Sequence, residues 1–280
     1  MSRATTSDQA ASQSVRPEGL PRTTELCSQQ QYALNQVSAS DIQLFHQCPR
    51  SFYLQRVLRL GQLVDRSPSK ASNRGSLIHL LLEWGTTDQA ETLFARHHVS
   101  AQQAQELLAV VETFQKSPFM QQLLADSQLV KEHAFYLKLS ADGQTPRYLK
   151  GFIDALTWQN DTTLLIIDYK TGRGATTAAN YQAQADCYAL AGLAQGAQCV
   201  QVLMLRPEVT DAHGDPETFR FDYRSDQTQQ LRQSLLATIE AMEDAHNASL
   251  VEVDPKNCSA FCTVPAQLCI RKEEIEAQTN

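Results

Sequence analysis

Two carboxylates and one amine carry the chemistry that stands out in this chain. The stretch "LLIIDYKTG", residues 164–172, is an apolar run that ends in an Asp and a Lys two positions apart, then breaks at Thr171-Gly172. Side chains alternate across a strand, so Asp168 and Lys170 share one face while Tyr169 takes the other. Upstream, "GFIDAL" holds a second acid, Asp154. A turn near residues 160 and 161 places Asp154 almost opposite Asp168 on the neighbouring strand. Bare like charges facing each other destabilise a sheet, and a divalent cation resolves the conflict. Hard oxygen ligands suit Mg²⁺ or Mn²⁺. Such an ion polarises a phosphoryl oxygen and lowers the pKa of a bound water, and Lys170 can orient that water or stabilise developing negative charge. The competing reading is a surface ion pair between Asp168 and Lys170, worth about 0–1 kcal/mol. The triplet alone favours that reading. The end of an apolar strand, the upstream acid and the following glycine favour the site.

The elements that position these residues follow from periodicity. "KEHAFYLKL", "RYLKGFIDALTW" and "TLLIIDYK" read as three strands separated by the turns "ADGQTP" and "QNDT". A helix runs through "NYQAQADCYALAGLA", and "CVQVLML" is a fourth strand that Arg206-Pro207 should end. "ETFRFDY" is a candidate fifth strand, and a capped amphipathic helix follows with Leu231, Leu235, Ile239 and Met242 on one face. Upstream, Ser38 or Ser40 can cap a helix that Pro49 breaks or restarts. "GSLIHLLLEW" reads as a buried helix from about Ser76, and "AQQAQELLAVVETFQKSP" as an amphipathic helix ended by Pro118. The order predicts a mixed α/β core with a helical N-terminal part. Residues 1–36 are polar with little periodicity and read as a disordered tail. The remainder, 37–280, divides into a helical part to 128, a core from 129 to 247 and a Cys-rich tail from 248.

Composition sets the outer limits. The 280 residues are 42% hydrophobic and 20% charged, which is ordinary globular composition. No apolar run approaches a membrane span and no secretory signal opens the chain, so a cytoplasmic location is expected. The formal charge of -7 argues against indiscriminate nucleic-acid binding. The charge is uneven, however. Residues 48–75 hold Arg50, Arg56, Arg59, Arg66, Lys70 and Arg74 against Asp65. This run is either a basic patch or a solvated face. Cysteines in a cytoplasmic chain do not read as a disulfide framework. The crowding of Cys258, Cys262 and Cys269 in "CSAFCTVPAQLC" points to metal.

Taken together, "GFIDAL" and "LLIIDYKTG" resemble the core of the PD-(D/E)xK nucleases, in their RecB-like branch. That branch includes nuclease domains of bacterial recombination helicases and the RecB-like nucleases of CRISPR adaptation. The resemblance implies a restriction-endonuclease-like fold, a mixed β-sheet core flanked by helices. It assigns Asp154 and Asp168 to metal binding, Lys170 to catalysis and the Tyr169 backbone carbonyl to the metal. "RGSLIHLLLE" is similar to the branch's Gly-x-x-x-His helix, which makes His79 a metal ligand, with Glu83 on the same helix face. "KEHAFYL" resembles the Glu-bearing strand before the Gly-x-x-Asp strand, which makes Glu132 an accessory residue. Gln184 and Tyr188 match a Gln-x-x-x-Tyr helix near the active site. Arg50, Arg74, Lys150 and Arg173 are candidates to hold the phosphate backbone.

"SDIQLFHQCPRSFYLQRVL" resembles the N-terminal segment of the iron–sulfur members, where a Cys before Pro-Arg joins three C-terminal cysteines on one cluster. The four here would be Cys48, Cys258, Cys262 and Cys269. Four thiolates suit a four-iron four-sulfur cluster or a structural zinc. The loops between the last three cysteines are each one residue longer than the branch's pattern. A shared metal would clasp the helical N-terminal part to the C-terminal tail. The implied activity is a metal-dependent DNA exonuclease, on single-stranded ends, in DNA repair and recombination or in CRISPR adaptation, with a helicase or a CRISPR adaptation protein as partner. The alternative is a catalytically silent module that holds DNA ends or a partner. No aromatic and basic stripe is visible in the linear sequence.

Overall fold

The alternating runs between residues 130 and 224 hydrogen-bond into one sheet, and the helical segments cover both faces of its central strands. The structure, a computed structural model, describes residues 34–59, 70–84, 89–141, 143–211, 214–247, 264 and 269. Its strands are β1 (Gln36–Ser38), β2 (Val130–Lys138), β3 (Tyr148–Asn160), β4 (Thr163–Tyr169), β5 (Cys199–Thr210) and β6 (Pro216–Arg224). The order is β1-β3-β4-β5-β6, with β2 on the other edge of β3. β2, β3 and β4 are antiparallel neighbours, β4 and β5 run parallel, and β6 returns antiparallel.

Helices α1 (Ala39–Gln47), α2 (Pro49–Phe52), α3 (Lys70–Trp84), α4 (Ala90–Arg96), α5 (Ala101–Lys116) and α6 (Pro118–Leu124) precede the long strands. α7 (Gln182–Ala194) makes the crossover from β4 to β5, as parallel pairing requires, and α8 (Thr228–Asn247) follows β6. Two cores result. One lies between the sheet and α1, α7 and α8, and contains Ile42, Ile153, Leu164, Ile166, Leu190, Val202 and Ile239. The other lies between the opposite face and α3 to α6, and contains Ile78, Leu81, Leu107, Val111, Ala155, Ile167 and Leu205. The neighbouring positions of β4 alternate between these cores because both faces of a central strand are covered. The observed layers agree with a restriction-endonuclease-like mixed sheet flanked by helices.

Three features depart from the sequence expectations. β5 continues through Arg206-Pro207 to Thr210, with a register shift between Arg206 and Thr210. A bulge absorbs the missing Pro N–H. α3 begins at Lys70, before the expected Ser76. β1, α4 and α6 are too short to leave a periodic signal. Cys258 and Cys262 lie outside the described residues, as do residues 1–33 of the expected tail. Among the described residues no helix is long and apolar enough to cross a membrane.

Candidate active site

β3 is the longest strand among the described residues, and one of its edges changes partner midway. β1 pairs with Tyr148 to Lys150, whereas β4 pairs from Ala155 onward. Residues 151–154 fall between these two partners, and Asp154 is the last of them. Its sidedness changes at the same place: Leu149 and Ile153 pack in the first core, Ala155 in the second and Leu156 again in the first. β2 kinks in step. Glu132, which faces Asp154 by register, has φ of 50°. That left-handed conformation is unusual for a non-glycine residue and clusters at functional sites. Phe135 and Leu137 pack toward the first core, while the Lys131 ammonium donates to the Leu82 and Glu83 carbonyls of α3 at 3.1 Å.

The β3–β4 pairing ends at Ala155↔Ile167, so Asp154 and Asp168 are the next residues of the two strands beyond it. The two carboxylates are held by different elements. Asp154 Oδ2 accepts from the Tyr169 backbone N–H at 2.6 Å and lies 3.4 Å from His79 Nδ1 on α3. Asp168, 3% exposed, accepts on Oδ1 from the Tyr188 hydroxyl at 2.7 Å and from Gln184 Nε2 at 3.2 Å. Its Oδ2 lies 2.5 Å from Lys170 Nζ, yet accepts no aligned hydrogen bond. Lys170 Nζ donates to Gln184 Oε1 at 2.6 Å and sits 5.7 Å from the centre of the Tyr181 ring. Gln184 and Tyr188, four apart on α7, also bond each other at 2.7 Å.

Electrostatics mark the same point. Burial, and next the charge of Asp168, push the Asp154 carboxyl up to about 8. Burial lowers the pKa of His79, so its imidazole is neutral at neutral pH; it also hydrogen-bonds the Tyr169 backbone. Burial raises Glu132, with Glu83 and Asp168 adding to the effect. Tyr169 turns to the other face, edge-on to Phe114 and near the His79 ring, and burial raises its phenol.

Among the described residues, no three His, Cys, Asp or Glu side chains stand together as a ready cation cage. Asp154 is drawn to His79 and a backbone amide, and Asp168 to the Lys170 side. The donor chemistry nonetheless fits a hard divalent cation. It comprises a buried carboxylate oxygen without an aligned donor, a neutral imidazole, and an acid whose ionisation a second carboxylate opposes.

Other residues complete the support. Gly75 lets α3 approach the strand end, since a Cβ there would stand 2.6 Å from Thr171 Oγ1. Gly151 makes room for Phe135, whose ring packs edge-on against Tyr188. Arg206 and Glu208 are not marked in the linear sequence, where Arg206-Pro207 reads as the end of β5. Arg206 donates to the Gly172 and Gly174 carbonyls at 2.7 Å and pairs with Glu217. Glu208, its side chain 3% exposed, accepts from the Gly172 N–H at 2.7 Å and from Arg74 Nε at 2.9 Å. Together they fix the loop after Lys170. Arg74 is therefore committed to Glu208, whereas Arg173 keeps an exposed guanidinium at 3.6 Å from the same acid. Lys150 is exposed on β3, and Arg50 lies on α2 with a buried Nε that has no hydrogen-bond partner. The Gln43 side chain of α1 holds the start of α7, accepting from the Gln184 N–H and donating to the Asn180 carbonyl.

Cys48 and Cys269 line one cleft of about 1470 Å³ beside the site. The Cys48 sulfur caps α2, accepting from the Ser51 N–H at 3.3 Å. Cys269 is buried with Leu54 and Val264.

No curated protein matches the chain in sequence. Solved structures that resemble it at low identity include two of similar extent. SSO0001 is 14% identical with a TM-score of 0.39, over 76% of this chain and 81% of its own. A "Putative exonuclease" from Eubacterium rectale is 12% identical with a TM-score of 0.47, over 86% of this chain and 89% of its own. The sequence model of the PD-(D/E)XK nuclease superfamily matches residues 36–269, a span that takes in the helix of His79, the strands of Asp154 and Asp168, and Lys170. The chain therefore belongs to the PD-(D/E)XK nuclease superfamily.

Proposed function

We propose that this nuclease is a metal-dependent deoxyribonuclease that trims single-stranded DNA ends. The observation that carries the reading is the Asp168–Lys170 pair, held by Gln184 and Tyr188 at the end of β4, with Asp154 at the end of the β3–β4 pairing and within reach of both charges. Asp154, Asp168, His79 and the Tyr169 carbonyl would hold Mg²⁺ or Mn²⁺, which when bound polarises a phosphoryl oxygen and acidifies a water. Tyr188 and Gln184 fix the Asp168 carboxylate. Gln184 also holds the Lys170 ammonium, so the positive charge is placed before substrate arrives. A cation preorganised in this way stabilises charge that develops on the phosphate without reorganising at the moment of reaction. Glu132, within electrostatic reach of Asp168, would serve as an accessory acid.

The lean towards single-stranded ends, and towards recombination repair or CRISPR adaptation with a helicase or adaptation partner, follows from the RecB-like resemblance of the sequence motifs. The same resemblance supports a four-iron four-sulfur cluster on Cys48, Cys258, Cys262 and Cys269, with zinc as the alternative. In its favour, Cys48 and Cys269 line a common cleft.

End-labelled single- and double-stranded DNA, labelled 5′ or 3′, incubated with Mg²⁺ or Mn²⁺, tests the activity. Progressive shortening of the single strand by the wild type, lost in Lys170→Ala, is expected. Equal behaviour of the two proteins refutes the reading.

A further inference from the structure

We propose that the exposed face of β2 and β3 is the track along which a single DNA strand reaches the acids. The inference rests on the reading of the chain as a nuclease for single-stranded DNA and supplies the surface that reading lacks. Phe152 is 64% exposed and Tyr136 57%, and both are large apolar side chains left outside the two cores. They are on one face. Ala134 registers with Phe152, Tyr136 with Lys150 and Lys138 with Tyr148. The Tyr136 and Tyr148 rings stack across the strands, 4.8 Å apart and 18° from parallel. This ordered aromatic pair and Phe152 form a stripe that two strands assemble from separate parts of the sequence. Lys150 stands within it, and Lys138 is registered beside it.

Position gives the stripe its direction. Phe152 lies two residues before Asp154, about 7 Å along the strand, and Tyr148 lies about 20 Å away. The stripe runs to the kink where β3 changes partner, and there Asp154 turns to His79 of α3, on the side away from the first core that Phe152 also takes, with Glu132 in register beside it. A chain stretched over Tyr136, Tyr148 and Phe152 would therefore present its end or next phosphate to the acids.

Chemistry selects the occupant. Exposed rings offer π-faces to bases, and stacking is tolerant of sequence. A single strand can turn its bases onto such rings, whereas a duplex keeps its base faces buried in its own stack. Lys150 and Lys138 supply positive charge on a chain whose net charge is -7, so attraction for phosphate is local to this face. An apolar protein-docking face would require no lysines in line with the rings and no continuity with a phosphodiesterase site.

The test is binding, measured without cleavage. Anisotropy of a labelled oligothymidylate long enough to cover the stripe is followed in EDTA, with a blunt duplex as comparison. Phe152→Ala and Tyr136→Ala should each weaken single-strand binding about 10-fold, the usual range for a lost base–aromatic stack. Both side chains are exposed, so the fold survives their truncation, which circular dichroism checks. Leu124→Ala removes another exposed apolar side chain and should leave affinity unchanged. Lys150→Ala should reduce the salt slope of log K by about 0.7. Wild-type affinity in Phe152→Ala, equal losses for duplex and single strand, or a wild-type dimer that Phe152→Ala dissociates would each overturn the track. Binding as expected with no cleavage under any metal keeps the track and refutes the nuclease activity. Cleavage by a protein whose single-strand affinity ignores Phe152 does the reverse.

Discussion

Asp154 shows how a single residue reports on the site around it. Its ordinary carboxylate value is 3.8, and the fold pushes it up to about 8 through burial and then through Asp168. The folded state therefore holds a proton that the unfolded state releases near pH 4. Stability of the metal-free protein should fall as pH rises from about 4 to about 8 and level off above. Urea unfolding in EDTA across this range measures the slope; Asp154→Asn should flatten it and unfold at higher urea than wild type at pH 8. A cation that displaces the proton reverses the trend. Mg²⁺ binding should thus release protons below about pH 8, visible as buffer-dependent heats in calorimetry. Lys170 has a different balance. Removing one partner of a buried ion pair costs about 3–5 kcal/mol. Tyr188 and Gln184 still donate to Asp168, so Lys170→Ala should cost less than that in unfolding free energy. Its loss of cleavage should be at least about 100-fold, the scale of a lost charge-stabilising group.

At the scale of elements, packing explains residues that look like motif decoration in the linear sequence. A Cβ on Gly151 would stand 2.7 Å from the Phe135 ring, which braces Tyr188, which in turn bonds Asp168. Gly151→Ala should therefore cost about 1–3 kcal/mol by overpacking and lower activity through the displaced tyrosine. Adding Phe135→Leu should recover part of the melting temperature, a coupling that a double-mutant cycle isolates. The continuation of β5 past Pro207 delivers Arg206 and Glu208 to the loop after Lys170. Glu208→Gln keeps the shape but removes the charge that holds Arg74, and the Gly172 N–H keeps an acceptor. A fall in kcat with an intact fold is expected, measured by steady-state cleavage beside circular dichroism.

Among the described residues a sheet is packed by helices on both sides of its centre, with the candidate site at the point where one long strand exchanges partners. A metal clasp joining Cys48 to the C-terminal cysteines would tie together parts of the chain more than 200 residues apart. Cys48→Ser should then release bound iron or zinc and lower the melting temperature by at least about 4 °C, since each kcal/mol is worth roughly 2–4 °C in a chain of this size. Elemental analysis beside calorimetry checks it. A metal-free wild type with the same melting temperature as the variant would remove the clasp.

Strand and helix types were legible in the sequence wherever an element was long enough to show its period, as in β2, β4, α5 and α8. The pairing of Asp168 with Lys170 was equally legible, because alternation puts residues two apart on one face of a strand. What lay beyond the sequence depends on elements meeting in space. The kink shared by Glu132 and Asp154, the bulge that carries β5 to Glu208, and the commitment of Arg74 to that acid are set by packing between distant segments. So is the aromatic face, whose rings alternate with buried residues on two strands and gather only when the register aligns them. Local order along a chain determines which side chains an element presents; tertiary structure decides what each presented side chain meets.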